Sequence, residues 1–411
     1  MASYARPGAA RLSRRSLLAA GISGAAAVAV AACDGRSDDM MAGSASLPRG
    51  ADLVIGACLD LTGSGRTVGV AQQRGLQIAL DLINQSGVTV GHTTRRVRLL
   101  VKDTNSDPDS AVAAAKQLIS GEQAIGLIVG GSAATTSAIA PVAEQASVPM
   151  MATGCADDIV KPVPQRRFVF KLGPNASDVA AVLTNNIAHA GGVDRVAILA
   201  SADDHGDSGL AAMRTALTTS GRTMVTTVGL PVGVSSYQSQ AKQVIKDRPD
   251  GIVIWSMAPT SGLAARALHD AGYRGRLFFD SGAASDDTLA GSNRTATVGG
   301  VLVSPSILGG VPLAVTTPEA VAQQNYFEQY TSLFGAFSGL SIYGADALNV
   351  LAGAVAKAGS TDHLRIRNGL ESMPFDGLAG EYKFQTIEHG GLQADALQLF
   401  EIEQSGWVQL T

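Results

Sequence analysis

From Leu53 onward, short apolar runs alternate with segments whose apolar residues recur every three to four positions. Leu53-Val54-Ile55-Gly56-Ala57-Cys58 is a continuous apolar run of strand length, the pattern of a strand buried on both faces. Gly63 to Gly69 reads as a loop. Gln72 to Asn84 places Leu76, Ile78, Ala79, Leu80 and Ile83 largely on one helical face. Val97–Val101 is a second strand, ended by Asp103. Asp107-Pro108 opens a helix through Ile119, with proline in the first turn, where its missing N–H costs little. Ile125–Val129 is a third strand. Thr135–Gln145 is a helix that Pro141 is expected to kink or shorten, and Val148–Met151 is a fourth strand.

The alternation resumes after Phe168–Leu172. Strands are expected at Arg195–Leu199, Thr223–Val228, Gly251–Trp255, Arg276–Phe279 and Gly300–Val303. Helices are expected at Ser177–Ala190, Gly206–Thr219, Ser236–Asp247, Thr260–Ala271, Pro318–Phe334, Ser341–Lys357 and Asp362–Ser372. Such alternation predicts parallel sheets covered on both faces. Two blocks of it predict an α/β protein with two doubly wound parallel-sheet lobes. In such sheets ligands bind beyond the carboxyl ends of the strands. The loops starting at Asp60, Gly130, Thr153, Ser201, Ser256 and Asp280 are therefore where a site is expected.

Composition narrows the function. Apolar residues are 46% and charged residues 16% of 411, which is globular rather than disordered. The net charge of −4 supplies no basic face for a nucleic acid. Three cysteines cannot build a disulfide framework. Cys58 and Cys155 each end a first-block strand, but strands one and four are not neighbours in the usual doubly wound order, so they read as two separate thiols, with a bridge outside the cell as the alternative.

The first 32 residues carry four arginines and no acids. The uncharged Leu17–Ala32 stretch is too short and too weakly apolar to span a bilayer, and reads as an export-signal core. Ser13-Arg14-Arg15-Ser16-Leu17-Leu18 resembles a twin-arginine (Tat) signal; a general secretory signal with two arginines is the alternative. Val30-Ala31-Ala32-Cys33 resembles a bacterial lipobox, which implies diacylglycerol on the Cys33 thiol and anchoring by two or three acyl chains. Asp34–Gly50 reads as a tether. Without residues 1–32, 27 basic residues face 35 acidic ones, a net charge of −8, so attachment must come from lipid rather than a basic patch.

Several chemical motifs fail on inspection. Gly63-Ser64-Gly65-Arg66-Thr67-Val68-Gly69 sits where a dinucleotide fingerprint would, but its third glycine is one place late, and no phosphate-loop Gly-Lys-Ser/Thr exists. His205-Gly206-Asp207-Ser208-Gly209 contains the Gly-Asp-Ser-Gly string of serine proteases. Here it follows a parallel strand and opens a helix, where Asp and Ser are ordinary first-turn residues. The six histidines have no metal-ligand spacing. No nucleophile, base and orienting group come together, so no enzyme activity, cofactor or metal is expected.

The ordered set Leu61-Thr62-Gly63, Val68-Gly69, Gln73-Arg74-Gly75, Asp103-Thr104-Asn105-Ser106-Asp107-Pro108, Gly130-Gly131-Ser132, Pro141-Val142-Ala143-Glu144, Ala271-Gly272-Tyr273, Tyr343-Gly344-Ala345-Asp346-Ala347 and Phe375-Asp376-Gly377-Leu378-Ala379-Gly380 resembles the type I periplasmic binding proteins of the leucine/branched-chain amino-acid group, substrate-binding proteins of ABC importers. The resemblance runs from Leu53 to Leu410. It implies two lobes joined by three crossings, near Leu172, Val303–Pro305 and Pro374–Gly377, that close on one small ligand and leave it unchanged. With it the chain divides into a signal peptide (1–32), a tether (33–50), lobe I (51–171 with 305–375) and lobe II (172–304 with 376–411). The implied partners are a small polar ligand, ABC permease subunits and the membrane through lipid at Cys33. The implied state is an extracytoplasmic monomer on the outer face of the cytoplasmic membrane. A sensing receptor of the same fold, for an amide, urea or organic acid, is the alternative.

Family ligand positions map onto Ser132 to Thr135 and Gly154 to Ala156 in the first lobe. The expected hydroxyls fall on Ala133 and Ala156, with Ser132, Thr135 and Thr153 close enough to substitute and Cys155 between Gly154 and Ala156. Ser132 and Thr135 read equally well as helix caps. In the second lobe the ammonium-binding glutamate falls on Gly282, with Asp280 two residues earlier, and the aromatic positions fall on His205, on Met257 or Ala258 and, in the first loop, on Val68. On this reading the first-lobe groups hold an anionic end, and Asp280 with His205 holds the other.

Overall fold

The computed structural model describes residues 51–310 and 316–410; the signal segment, Cys33 and the tether lie outside the described residues. The first block runs β1 (Leu53–Leu59), α1 (Arg66–Ser86), the hairpin β2 (Val88–Val90) and β3 (Thr93–Arg95), β4 (Val97–Asp103), α2 (Pro108–Lys116), β5 (Leu127–Gly130), α3 (Ala133–Ala146), β6 (Met150–Ala152) and β7 (Val169–Lys171). Its sheet has the order β4-β1-β5-β6-β7, parallel throughout. β1 is an interior strand, between β4 and β5, and six of its seven residues are buried, as a strand covered on both faces requires.

The second block runs α4 (Ala176–His189), β8 (Arg195–Ser201), α5 (Asp204–Thr219), β9 (Thr223–Leu230), α6 (Gln238–Val244), β10 (Gly251–Trp255), α7 (Thr260–Asp270), β11 (Arg276–Phe279), α8 (Asn293–Thr297) and β12 (Val301–Pro305). The chain then returns through α9 (Pro318–Phe334), α10 (Ser341–Ala358) and α11 (His363–Leu370). It ends in the short pair β13 (Phe375–Asp376) and β14 (Glu381–Tyr382), then β15 (Leu397–Glu403) and β16 (Gly406–Gln409). The second sheet has the order β16-β15-β12-β11-β10-β8-β9. β15 and β16 are antiparallel additions at its edge, so this sheet is mixed where sequence pattern predicts a parallel one.

α10 is buried on nearly every face and packs on α1, β5 and β6. Two glycines permit this. A Cβ on Gly75 would lie 2.0 Å from the Ser341 carbonyl oxygen, and one on Gly344 would lie 2.2 Å from the Gln72 carbonyl oxygen. The two helix backbones therefore touch where side chains would hold them apart. Pro141 does not shorten α3, which continues to Ala146.

Buried polar groups fix the crossings. At the end of β7, Lys171 is fully buried; its Nζ donates to the carbonyls of Gly173 (3.1 Å) and Pro174 (2.9 Å) and pairs with Asp157 at 3.2 Å. At the last crossing, Asp346 on α10 accepts from Leu378 N (2.7 Å), Ala379 N (3.0 Å) and Tyr382 Oη (2.9 Å). The aspartate of Tyr343-Gly344-Ala345-Asp346 thus holds the segment Gly377-Leu378-Ala379, which accounts for both motifs with one set of bonds.

Candidate functional site

Between the sheets, at the carboxyl ends of β1, β5, β8, β9 and β10, lies a cavity of about 380 Å³. Ligand pockets span roughly 300–1,000 Å³. Four helix N-termini border it: α1 at Arg66, α3 at Ser132 and Ala133, α5 at Asp203, and α7 at Pro259 and Thr260. Those of α1 and α7 have no side-chain cap, so their first N–H groups add positive potential to the cavity.

The first loop is set by a hydrogen-bonded clamp. Asp103 accepts from Leu61 N (3.0 Å), Thr62 N (3.3 Å), Thr62 Oγ1 (2.8 Å) and Asn105 N (2.8 Å). Burial pushes its carboxyl up, but these hydrogen bonds outweigh it and hold it below the usual carboxylate range. Ser106 Oγ donates to Thr62 O (2.6 Å) and accepts from Gly65 N (2.9 Å). Asp107 caps α2 by accepting from Ser110 N (2.8 Å). Asp60 is fully buried; it accepts from the Thr104 hydroxyl and, at 2.7 Å, from Ser132 N. The Asp103–Pro108 run therefore shapes the loop that carries Arg66. Gly65 and Gly69 pack directly on Asp60, where a Cβ on either would come within 2.1 Å of it. These glycines serve packing, and α1 starts at Arg66 rather than beyond Gly69.

The sequence-predicted ligand positions divide into two groups. Val68, Ser132, Ala133 and Met257 line the cavity. Thr135, Thr153, Gly154, Cys155, Ala156, His205, Asp280 and Gly282 are buried and do not line it. Ser132 Oγ lies 3.0 Å from Thr135 Oγ1 and accepts from Thr135 N at 3.4 Å, so the capping reading describes this pair. Thr153 donates to Val129 O at 3.2 Å. Cys58 and Cys155 are free buried thiols, both pushed up to about 12 by burial. At Cys155, Lys171 opposes burial while Asp280 and Asp157 add to it.

Asp280 differs most from expectation. Its Oδ1 accepts from Ser256 N (2.8 Å), and its Oδ2 from Gly282 N (2.8 Å), with His205 Nε2 at 2.9 Å. Both oxygens are engaged within the second block, so Asp280 organises the ends of β10 and β11 rather than lining the cavity. Burial alone would lower His205, but the Asp280 charge and hydrogen bond reverse this and leave it raised. A Cβ on Gly282 would lie 2.7 Å from Met257 Sδ and 2.9 Å from Asp280 Oδ2, so no side chain fits there without displacing Met257. Of the protease-like string, Ser208 accepts from Asp157 N at 3.1 Å and His205 is bound to Asp280, so the two do not form a nucleophile–base pair.

The cavity's charges come from residues that sequence pattern does not single out. Arg66 is exposed and makes no salt bridge among the described residues. Asp203 lines the opposite wall; its Oδ1 accepts from Gly206 N (2.9 Å) and Ser201 Oγ (2.6 Å). Apolar lining comes from Val68, Met257, Leu263 and the loop at Val232–Val234. Among the described residues, no group of three or more His, Cys, Asp and Glu could hold a metal.

Two sheet lobes with a solute-sized cavity at their seam define a two-lobe binding protein. The model of the family described as periplasmic binding protein matches residues 52–406, and the chain belongs to that family. An amino acid binding protein of Pseudomonas aeruginosa is 22% identical over 360 residues, covering 87% of this chain and 91% of its own. The Leu/Ile/Val-binding protein BraC3 of Rhizobium johnstonii is 24% identical over 317 residues, 76% of this chain and 81% of its own. The crystal structure of an extracellular ligand-binding receptor from Rhodopseudomonas palustris HaA2 superposes with TM-score 0.79 at 19% identity, covering 88% of this chain and all of that one. The fold is that of the type I periplasmic binding proteins. The family is one of extracytoplasmic solute binders. No helix among the described residues is long and apolar enough to cross a membrane.

Proposed function

We propose that the chain captures an amino acid with an aliphatic side chain between its lobes and presents it, unchanged, to an ABC permease. The observation that carries this reading is one cation and one anion on opposite walls of a single cavity of about 380 Å³. Arg66, with the N–H groups at the starts of α1 and α3, takes the carboxylate. Asp203 takes the ammonium, in place of Asp280. Val68, Met257 and Leu263 take the side chain. The names of the two relatives, an amino acid binder and a Leu/Ile/Val binder, agree with this ligand class.

A thermal-shift screen tests it, with amino acids set against matched amines and carboxylates. An amino acid at 100 times its Kd should add about 2.7 kcal/mol of stability. If carboxylates lacking an amine stabilise the protein equally, the zwitterion reading fails.

The sequence around Cys33 supports a lipid anchor, with the twin-arginine segment directing export. Cys33→Ser should abolish incorporation of labelled palmitate in cells and move the protein from the membrane to the soluble fraction. Retention on the membrane without label would remove the anchor from the account.

A further inference from the structure

A second cavity, of about 330 Å³, adjoins the first and shares Arg66 and Thr67 with it. Its two walls come from different lobes. One is built by α1 and α9 and carries Arg74, Tyr330 and, just beyond α9, Ser338. The other carries Asp286 and Asp287, which follow β11.

The walls are complementary and unjoined. The hydroxyls of Tyr330 and Ser338 are buried and find no acceptor, a condition that costs free energy until one arrives; Arg74, on the same wall, approaches the Tyr330 oxygen as a donor. Arg74 lies over the Phe334 ring, 5.0 Å from its centroid. Facing these donors, neither Asp286 nor Asp287 makes a salt bridge among the described residues. Burial, then the charge of Asp287, pushes Asp286 up to about 6, with Arg294 of α8 opposing. Burial also raises Tyr330; Arg74 opposes, and Asp286 and Asp287 add to the rise. Across the gap, the two carboxylates thus bear on Tyr330.

We propose that Arg74 and Asp286 are positioning residues for lobe closure: as the lobes close, the Asp286 carboxylate meets the Arg74 guanidinium and the Tyr330 hydroxyl and latches the closed form away from the ligand. Arg66 and Arg74 of α1, Tyr330 of α9, Arg294 of α8 and the neighbouring Asp287 are the charged and titratable groups that surround Asp286. Pairing favours the ionised carboxylate, so the closed form gains as pH rises through about 6 and loses as it falls. The inference rests on the closing-receptor reading above.

The test uses L-isoleucine as probe, with affinity by calorimetry and the radius of gyration by small-angle scattering. Asp286→Asn and Arg74→Met should each weaken binding about tenfold, a usual size for coupling between sites, and the double variant should be no weaker than either. Wild-type affinity should fall between pH 7 and pH 5, and Asp286→Asn should lose that slope while Asp286→Glu keeps it. Unchanged singles, additive effects, or a wild-type pH slope in Asp286→Asn would overturn the latch. If L-isoleucine fails to bind the wild type, the amino-acid reading fails by itself. The latch is then read from the ligand-free protein, which should expand between pH 7 and pH 5 in the wild type and not in Asp286→Asn; equal behaviour of the two sinks it.

Discussion

Asp346→Ala should lower the unfolding free energy by about 3–5 kcal/mol, since each buried donor left without its acceptor costs about 1–3 kcal/mol. Three such donors depend on this carboxylate: the N–H groups of Leu378 and Ala379 and the Tyr382 hydroxyl. Asp346 is fully buried, so water cannot replace the lost acceptor without opening the last crossing. Asp346→Asn keeps one acceptor oxygen and should lose less. The pH dependence has a definite sign. Burial raises Asp346 to about 6 against the pull of its three hydrogen bonds, while an unfolded aspartate titrates near ~3.9. Its contribution is therefore full below the unfolded value and is lost as pH rises through about 6. The stability difference between wild type and Asp346→Asn, followed by urea unfolding, should change across that window and be flat on either side. A difference independent of pH would contradict the assignment.

Asp203→Asn should weaken amino-acid binding about 30-fold or more, since losing one partner of a hydrogen-bonded charge pair costs about 2–5 kcal/mol. Asparagine caps helices as well as aspartate does, so α5 keeps its first turn and the loss reports on charge. Arg66→Met should cost less, because Arg66 is exposed and its pairing is screened by solvent. Titration calorimetry with the best ligand from the screen separates the two. Equal affinity in Asp203→Asn would remove this residue from the site and return attention to the buried Asp280 cluster.

Sequence pattern located the elements best where local chemistry marks their ends. α9 runs from Pro318 to Phe334 as expected, because Thr317 caps it, Pro318 suits its first turn and Gly335 ends it at positive φ. α1 was harder to read. Its first turn contains Gly69, which looks like loop until Asp60 is seen to occupy the space of a side chain. β15 was missed because it is antiparallel and follows a long irregular stretch, although Leu397-Gln398-Leu399-Phe400-Glu401-Ile402 carries the apolar content of a strand. The rule that ligands gather at strand carboxyl ends pointed to the loops at Asp60, Gly130, Ser201 and Ser256, all of which border the cavity or support a residue that does. It did not select residues within them. Asp203 reads from sequence as a plain cap of α5, which it also is. The engagement of Asp280 by Ser256 N and Gly282 N is set by tertiary placement and leaves no mark in local sequence.

The most direct test is a crystal structure of the protein with the amino acid that stabilises it most. Density for the ligand should lie in the cavity between Arg66 and Asp203, in contact with both lobes, with its carboxylate toward the N-termini of α1 and α3. Density confined to one lobe or outside that cavity, or a ligand converted to product, would contradict capture by two closing halves.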